Sequence, residues 1–323
     1  MFELVSIVLI ACYVGMVPMG RSAWIGLMKR KVPIMTMSSK DSLNRSPLNI
    51  FDSCGVSVYS PELAQEYNID YLNRGDIETD NGLVLAKNEN YLELSWGNGS
   101  DIKEKPFRIN FKSNVLLNRS HSYRNELIFK AFKSVSTQKN AAIIDMTAGL
   151  GRDSFILASA GLKVLMIERN PVLYLLLQDA LKQLQNQSVA NNLELVYCDS
   201  TDASITDIIT DVTSRWYKQS PIELSVYLDP MYQNTSIGKR SLVKKDTQML
   251  HRLVQAEINE ENNKMLFQQA SQVATNKIVV KRPKSADFIH REAHDCIVGS
   301  THRFDVYYTQ RFTKITDAVR TTL

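Results

Sequence analysis

The strongest constraint on the fold is the stretch from Ala141 to Asp153. Four apolar residues, Ala141, Ala142, Ile143 and Ile144, run into Asp145. A turn carrying Gly149 and Gly151 follows, and a helical pattern starts at Arg152 and Asp153. Strand, glycine turn and helix in this order open a nucleotide-binding α/β unit. The glycines let the backbone turn tightly and approach a ligand without a Cβ in the way. The helix that follows points its first N–H groups and the positive end of its dipole at whatever occupies the turn. Gly-x-Gly alone has little specificity. A second acid, Glu168, closes the next apolar run, Val164 to Ile167, about 20 residues beyond the turn, where a carboxylate takes ribose hydroxyls. Together these features predict a cofactor site that includes Asp145, Gly149, Gly151 and Glu168.

Beyond residue 140 strands and helices alternate. Further strands are expected at Leu193–Cys198, Leu224–Leu228 and Lys277–Lys281, with Cys296–Val298 and Arg303–Tyr308 as an antiparallel pair at the sheet edge. Asn170-Pro171 reads as a helix cap with proline at the first helical position. Leu173, Leu176, Leu177, Ala180, Leu181 and Leu184 form the buried stripe of that helix, and Ile205, Ile208, Ile209 and Val212 form another. Two more helical stretches are expected at about 242–256 and 260–275. The pattern predicts an α/β fold, a mostly parallel doubly wound sheet with ligands at the carboxyl ends of its strands.

Ahead of this core the chain divides in two. Residues 51–117 read as a small α+β domain. Leu92, Leu94 and Trp96 alternate with polar residues, as do Phe107, Ile109 and Phe111, the period of half-buried strands. Lys87–Asn90 suits a hairpin turn, and Ser60-Pro61 opens a short helix to about Asn68. A helix from about Ser122 to Val135, with Ile128, Ala131, Phe132 and Val135 inward, bridges to the core domain, 118–323. Arg119, His121 and Arg124 near its start suit either phosphate contact or a solvated basic turn.

Residues 1–50 are different again. The apolar run 4–19 is shorter than the ~20 residues of a spanning helix and is interrupted by Gly15 and Pro18. Its basic residues, Arg21, Lys29, Arg30 and Lys31, follow the run, whereas a signal peptide carries them before it. A short anchor with its basic side in the cytoplasm is one account. The expectation here is a start at Met28, Met35 or Met37, with no stable membrane association. Residues 38–50 are polar and linker-like. The four cysteines, Cys12, Cys54, Cys198 and Cys296, form no C-x-x-C pair. That leaves zinc and a disulfide framework unsupported, and a reducing cytoplasm fits. A net charge of +4 permits a nucleic-acid partner without demanding one.

The chemistry gathers on one rim. Three strand ends carry acidic or polar groups: Asp145 to Asp153, Glu168, and Asp199-Ser200. The fourth carries Asp229-Pro230-Met231-Tyr232. The turn lacks the third glycine of a nicotinamide dehydrogenase. Class I methyltransferases combine a glycine turn, a ribose-binding acid and a polar pair, and their amino-methylating members add Asp/Asn-Pro-Pro-aromatic at strand four. An aromatic amine is a poor nucleophile because its lone pair is delocalised. Asp229 and the Pro230 carbonyl, accepting from its N–H bonds, would align that lone pair, and Tyr232 would stack on the base. Lys244, Lys245, Lys281, Arg282 and Arg303 flank the rim and read as RNA-phosphate contacts; His302 lies among them with no acid–base role assigned.

More specifically, the chain resembles the ribosomal RNA small-subunit methyltransferase J family. The resembling segments are Asp145–Asp153, Glu168–Pro171, Tyr227–Met231, Ser241–Lys245, Val279–Pro283 and His302–Tyr307. They run in the family's order from 141 to 308. The resemblance implies a Rossmann-like class I methyltransferase sheet. It also implies S-adenosylmethionine contacts at Arg152, Asp153, Glu168, Arg169, Asp199, Ser200 and Asp229, and methylation of a guanine N2 amine in small-subunit (16S) ribosomal RNA or the ribosomal subunit. No metal is implied. The family's glycine-rich stretch ahead of the bridging helix is here His121–Asn125, so no RNA role carries over to it. Rival readings are the same machinery on a DNA adenine or a protein amide, and an RNA-binding assembly factor without turnover.

Overall fold

In a computed structural model the described residues are 56–58, 83–88, 91–96, 106–184, 187–218, 221–231 and 260–309. Their largest element is a seven-stranded sheet built from β4 (Ala141–Asp145), β5 (Lys163–Glu168), β6 (Leu193–Tyr197), β7 (Glu223–Leu228), β8 (Lys277–Pro283), β9 (Asp295–Val298) and β10 (His302–Tyr308). Its order is β6-β5-β4-β7-β8-β10-β9. The first five strands in that order pair in parallel, while β10 is antiparallel to both β8 and β9. The chain moves outward from β4 through β5 to β6, then returns to place β7 on the other side of β4. A crevice opens at the carboxyl ends where the direction of winding reverses, and ligands bind there in open α/β sheets.

Both faces of the sheet are covered, which explains the unbroken apolar runs of its central strands. Every residue of β4 is buried. Alternation then sorts side chains between two cores. Ile143, Val164, Met166, Tyr227 and Val279 point to one face, where α3 (Arg152–Ser159) and α4 (Pro171–Lys182) supply Phe155, Leu173, Leu176 and Leu177. Ile144, Leu165, Ile167, Val226 and Val280 point to the other, against Ile205, Ile209 and Val212 of α5 (Ile205–Trp216) and Leu266, Phe267 and Ala270 of α6 (Glu260–Val273). The Asn170 cap forms as expected, its side-chain oxygen accepting from the N–H groups of Val172 and Leu173.

The N-terminal part packs onto the first of these faces. β1 (Val56–Val58), β2 (Leu83–Asn88) and β3 (Tyr91–Trp96) make a three-stranded sheet, with β2 and β3 antiparallel in the register Asn88↔Tyr91. Leu85, Leu92 and Leu94 join the same core as α3 and α4, and the N–H of Leu92 donates to Asp179 of α4 at 3.2 Å. The alternation of Phe107, Ile109 and Phe111 is kept in their burial, but only Phe107 makes a ladder contact, to Leu94. Phe111 instead stacks on Phe155 at 5.0 Å, locking this segment against the glycine turn.

The bridging helix expected at Ser122–Val135 is replaced by α1 (Asn114–His121) and α2 (Leu127–Phe132), with 3-10 turns at Tyr123–Asn125 and Val135–Thr137. The inward face is as expected: Ile128, Ala131, Phe132 and Val135 are all buried. At the break the ladder tightens to i→i−3 bonds, the Asn125 N–H donating to the Ser122 carbonyl at 2.9 Å and the Glu126 N–H to that of Tyr123 at 3.0 Å. α1 runs through residues 117 and 118, so the two expected segments join inside a helix. The expectations for residues 1–50, for the helices at 60–68 and 242–256, and for Tyr232, Lys244 and Lys245 lie outside the described residues.

Candidate active site

The glycine turn is held from below by two carboxylates. Asp145, 2% exposed, accepts from the Ser154 hydroxyl at 2.5 Å and from the Thr147 N–H at 3.1 Å. Burial pushes its carboxyl up to about 7, against those bonds from Ser154 and Thr147. Glu168 accepts from the N–H of Gly149 and of Asn170, each at 2.8 Å. It therefore ties the turn to the start of α4. Gly149 and Gly151 have φ of 54° and 66°, a region L side chains rarely adopt. A Cβ on Gly151 would lie 2.7 Å from Leu177 and 3.0 Å from Phe111. Packing of the turn on the core requires this glycine, which also lines the cavity described below.

On the β7–β8 side the acids are bound by charge. Lys281 donates to Asp229 at 2.9 Å and to Asp153 at 3.0 Å. Asp153 also accepts from the Tyr227 hydroxyl at 2.8 Å and lies 3.5 Å from Arg119, which is held by Glu126 at 2.8 Å. Burial would raise the Asp153 carboxyl, but the Lys281 charge and hydrogen bond, with Tyr227 and Arg119, bring it down to about 2. Asp229 is held above the usual carboxylate range, chiefly by burial and also by Asp153, with Lys281 opposing. Its side chain is 39% exposed through the cavity mouth, so water screens part of that effect. Thr147 fixes the strand end, its hydroxyl accepting from the Asp229 N–H at 2.7 Å.

These groups line one cavity of about 750 Å³ at the carboxyl ends of the strands, reaching Asp145 to Asp153, Glu168, Arg169, Asp199 to Thr201, and Tyr227 to Met231. Cofactor sites occupy ~300–1,000 Å³, so the size fits a nucleoside cofactor. The donor set fits as well. Glu168 closes β5 with its carboxylate fixed by backbone. Asp199 is held below the ordinary carboxylate range: burial opposes this, but the N–H and hydroxyl of Thr201, with Arg169, outweigh it. Ser200 is buried and donates to the Met146 carbonyl at 2.7 Å, linking the β6 end to the β4 end. Among the described residues no group of three or more His, Cys, Asp or Glu could hold a metal ion.

The fold thus brings Asp145, Gly149, Arg152, Asp153, Glu168, Arg169, Asp199, Ser200, Asp229 and Pro230 to one cavity. Two basic residues are placed otherwise than expected. Arg303 is 8% exposed, bonded to Asp305 at 2.7 Å and to the Lys284 carbonyl at 2.7 Å, with its guanidinium over the Phe288 ring. Strand alternation turns it to the sheet face opposite His302 and Phe304, so it is an internal residue and not part of a basic rim. Lys281 lines the cavity between two acids. Arg282 is half-buried. Arg119, read from the sequence as a phosphate contact or a solvated basic residue, pairs with Glu126 and Asp153 at the cavity. Thr147, Ser154 and Tyr227 complete the site without having been singled out. Two of them had a signal, because Tyr227 and Ser154 flank Asp229 and Asp153, but no motif marks a hydroxyl that bonds within the protein.

Comparison with known proteins agrees with this geometry. Residues 63–309 match the model of the SAM-dependent methyltransferase family. The chain is 37% identical over 240 residues to ribosomal RNA small subunit methyltransferase J of Idiomarina loihiensis, covering 72% of this chain and 86% of that one. It is 34% identical over 238 residues to the protein of the same name from Buchnera aphidicola, covering 70% and 86%. A solved SAM-dependent methyltransferase from Neisseria gonorrhoeae aligns with a TM-score of 0.56 at 23% identity, over 78% of this chain and 96% of that one, and shares the fold. The chain belongs to the ribosomal RNA small subunit methyltransferase J family of SAM-dependent methyltransferases.

Proposed function

We propose that this enzyme transfers a methyl group to the exocyclic N2 amine of a guanine in small-subunit ribosomal RNA, in the cytoplasm. The observation that carries the reading is the Asp229 carboxylate at the end of β7, held by Lys281 in the cavity that also presents Glu168 and Asp199. When bound, S-adenosylmethionine supplies a methyl carbon on a positively charged sulfur, which accepts a nitrogen lone pair as the sulfur leaves as a thioether. Glu168 would hold its ribose hydroxyls, and Asp199 and Ser200 its base. Asp229 and the Pro230 carbonyl accept from the two N–H bonds of the target amine, turning its lone pair out of the ring system and toward the cavity. The surplus proton on the methylated nitrogen leaves along the Asp229 hydrogen bond to water. Tyr232, Lys244, Lys245 and Arg282 are assigned to the RNA, the first by stacking and the others by phosphate contact.

The test is nucleoside mass spectrometry of ribosomal RNA from a deletion strain. N2-methylguanosine in the small-subunit RNA should disappear, return with the wild-type gene and stay absent with Asp229→Ala. A missing mark on adenine would sink the guanine assignment. For the RNA surface, Lys244→Ala with Lys245→Ala should flatten the salt dependence of RNA binding and leave cofactor binding alone.

A further inference from the structure

Lys281 was expected to meet RNA phosphate, but its surroundings give it another task. Its ammonium donates to Asp229 on one side and Asp153 on the other, at 2.9 and 3.0 Å, and the side chain is 25% exposed. The last pair of parallel strands β7 and β8 is Leu228↔Val280, so Lys281, the next residue of β8, stands beside Asp229, the residue that follows β7. On its other flank it pairs with Phe304 of β10. We propose that Lys281 is a positioning residue for methyl transfer, fixing the Asp229 carboxylate in its charged form and in one orientation, with Asp153 as its anchor on the glycine-turn side. The inference rests on the reading of Asp229 as the group that aligns the target amine.

The physical case lies in the charges around Asp229. Asp153 faces it from α3 and Asp145 from β4, so two further acids disfavour its ionised form. Carboxylates sharing a site cannot all ionise without a cation between them. Among the described residues the cations that act on these acids are Arg119 of α1, His302 of β10 and Lys281. Arg119 is bonded to Glu126 and reaches Asp153 at 3.5 Å. His302 is held toward its neutral form, first by burial and then by Lys281. Lys281 is hydrogen-bonded to both acids. A protonated Asp229 would lose part of its accepting capacity, and the amine would lose the partner that orients its lone pair. The Tyr227 hydroxyl on Asp153 completes the anchor from β7 itself.

The test uses under-methylated small ribosomal subunits from a deletion strain as substrate. Turnover is measured across pH for the wild type, Lys281→Met, Lys281→Arg, Asp229→Asn and the double variant. Lys281→Met should lower kcat about 100-fold at neutral pH, the cost of a ~1 Å misplacement. It should also move the acid limb of the profile up by about 1–3 pH units, the effect of removing an opposite charge from a carboxylate. Lys281→Arg should keep the limb near its wild-type position. In the Asp229→Asn background Lys281→Met should cost less than about threefold more, because residues acting through one another do not add. Lys281→Gln, which loses the charge and keeps N–H donors, repeats the cycle if the methionine variant melts below the assay temperature. An RNA-phosphate role predicts the opposite: a raised KM, a flatter salt dependence and losses that multiply with Asp229→Asn. That result, or a Lys281→Met profile matching wild type, overturns the inference. Wild-type turnover that yields no N2-methylguanosine overturns the reaction it rests on.

Discussion

The two ends of the cavity hold their acids by different means. At the β4–β5 end, Asp145 and Glu168 are bonded to backbone N–H groups and a serine hydroxyl. At the β7–β8 end, Asp153 and Asp229 share Lys281, with Tyr227 and Arg119 behind. The first arrangement fixes acceptors in a rigid frame without adding charge, which suits neutral hydroxyls that must be held in one place. The second sets charge against charge in a partly open mouth, where a carboxylate must meet an incoming amine. The proposed function divides along the same line, with cofactor binding assigned to one end and substrate alignment to the other.

The comparison is broken most directly by pH. The Asp145 carboxyl is raised in the folded protein to about 7, so the folded state binds a proton that the unfolded chain has already released. Its contribution is therefore fully present below the ordinary carboxylate range and is lost as pH rises to about 7. Linkage at about 1.4 kcal/mol per pH unit makes this on the order of 4 kcal/mol. Asp145→Asn, whose amide can donate to Ser154 while accepting from Thr147, should abolish it. The gain in melting temperature over wild type should grow from pH 5 to pH 8. Asp153 has the opposite sign: its carboxyl is lowered to about 2, so its stabilisation is present above the ordinary range and is lost as pH falls toward 2. Asp153→Asn should cost roughly 2 kcal/mol at neutral pH. Parallel melting profiles for the two variants would show that the two ends are not held differently.

Kinetics should split the same way. Asp229→Ala should bind the cofactor with little change and lower kcat about 100-fold, as removal of a group used chiefly in the transition state does. Glu168→Ala should instead weaken S-adenosylmethionine binding by about 2 kcal/mol in calorimetry, since charge-assisted bonds are lost. An Asp229→Ala enzyme whose main defect is cofactor affinity would erase the proposed division of labour.

How much of this was legible in the chain follows from the same contrast. Strand β4, the glycine turn and Glu168 carry local signals: an apolar run, residues tolerant of positive φ, and an acid at a fixed distance. The Asn170-Pro171 cap and the Leu173–Leu184 stripe were equally plain, because caps and periodicity are short-range. The partnership of Lys281 with Asp229 and Asp153 was not visible, since it joins residues 52 and 128 positions apart through the adjacency of β7 and β8. Charge alone also misplaced Arg303, whose partner Asp305 lies two residues on and on the same strand face. A pair spaced i, i+2 in a strand was the sign that this arginine is internal. Phe111 kept the alternation of a strand while serving to cover Gly151, a contact set by tertiary packing.

The smallest effect belongs to the pair at the outer edge of the cofactor end, where the means of holding an acid overlap. Asp199 takes two bonds from Thr201, at 2.8 and 2.7 Å, and one from Arg169 at 3.3 Å. Arg169 and Asp199 are 37% and 42% exposed, and exposed ion pairs contribute about 0–1 kcal/mol because water screens the charges and two side chains lose freedom. The Thr201 bonds come from a neighbouring turn and cost little entropy to form. Arg169→Ala should therefore lower stability and cofactor affinity by less than about 1 kcal/mol each. Thr201→Val, which removes the hydroxyl and keeps the backbone donor, should match or exceed it. An affinity loss for Arg169→Ala comparable to that of Glu168→Ala would place the arginine on the cofactor itself, and charge would then be part of the binding end as well as the reacting one.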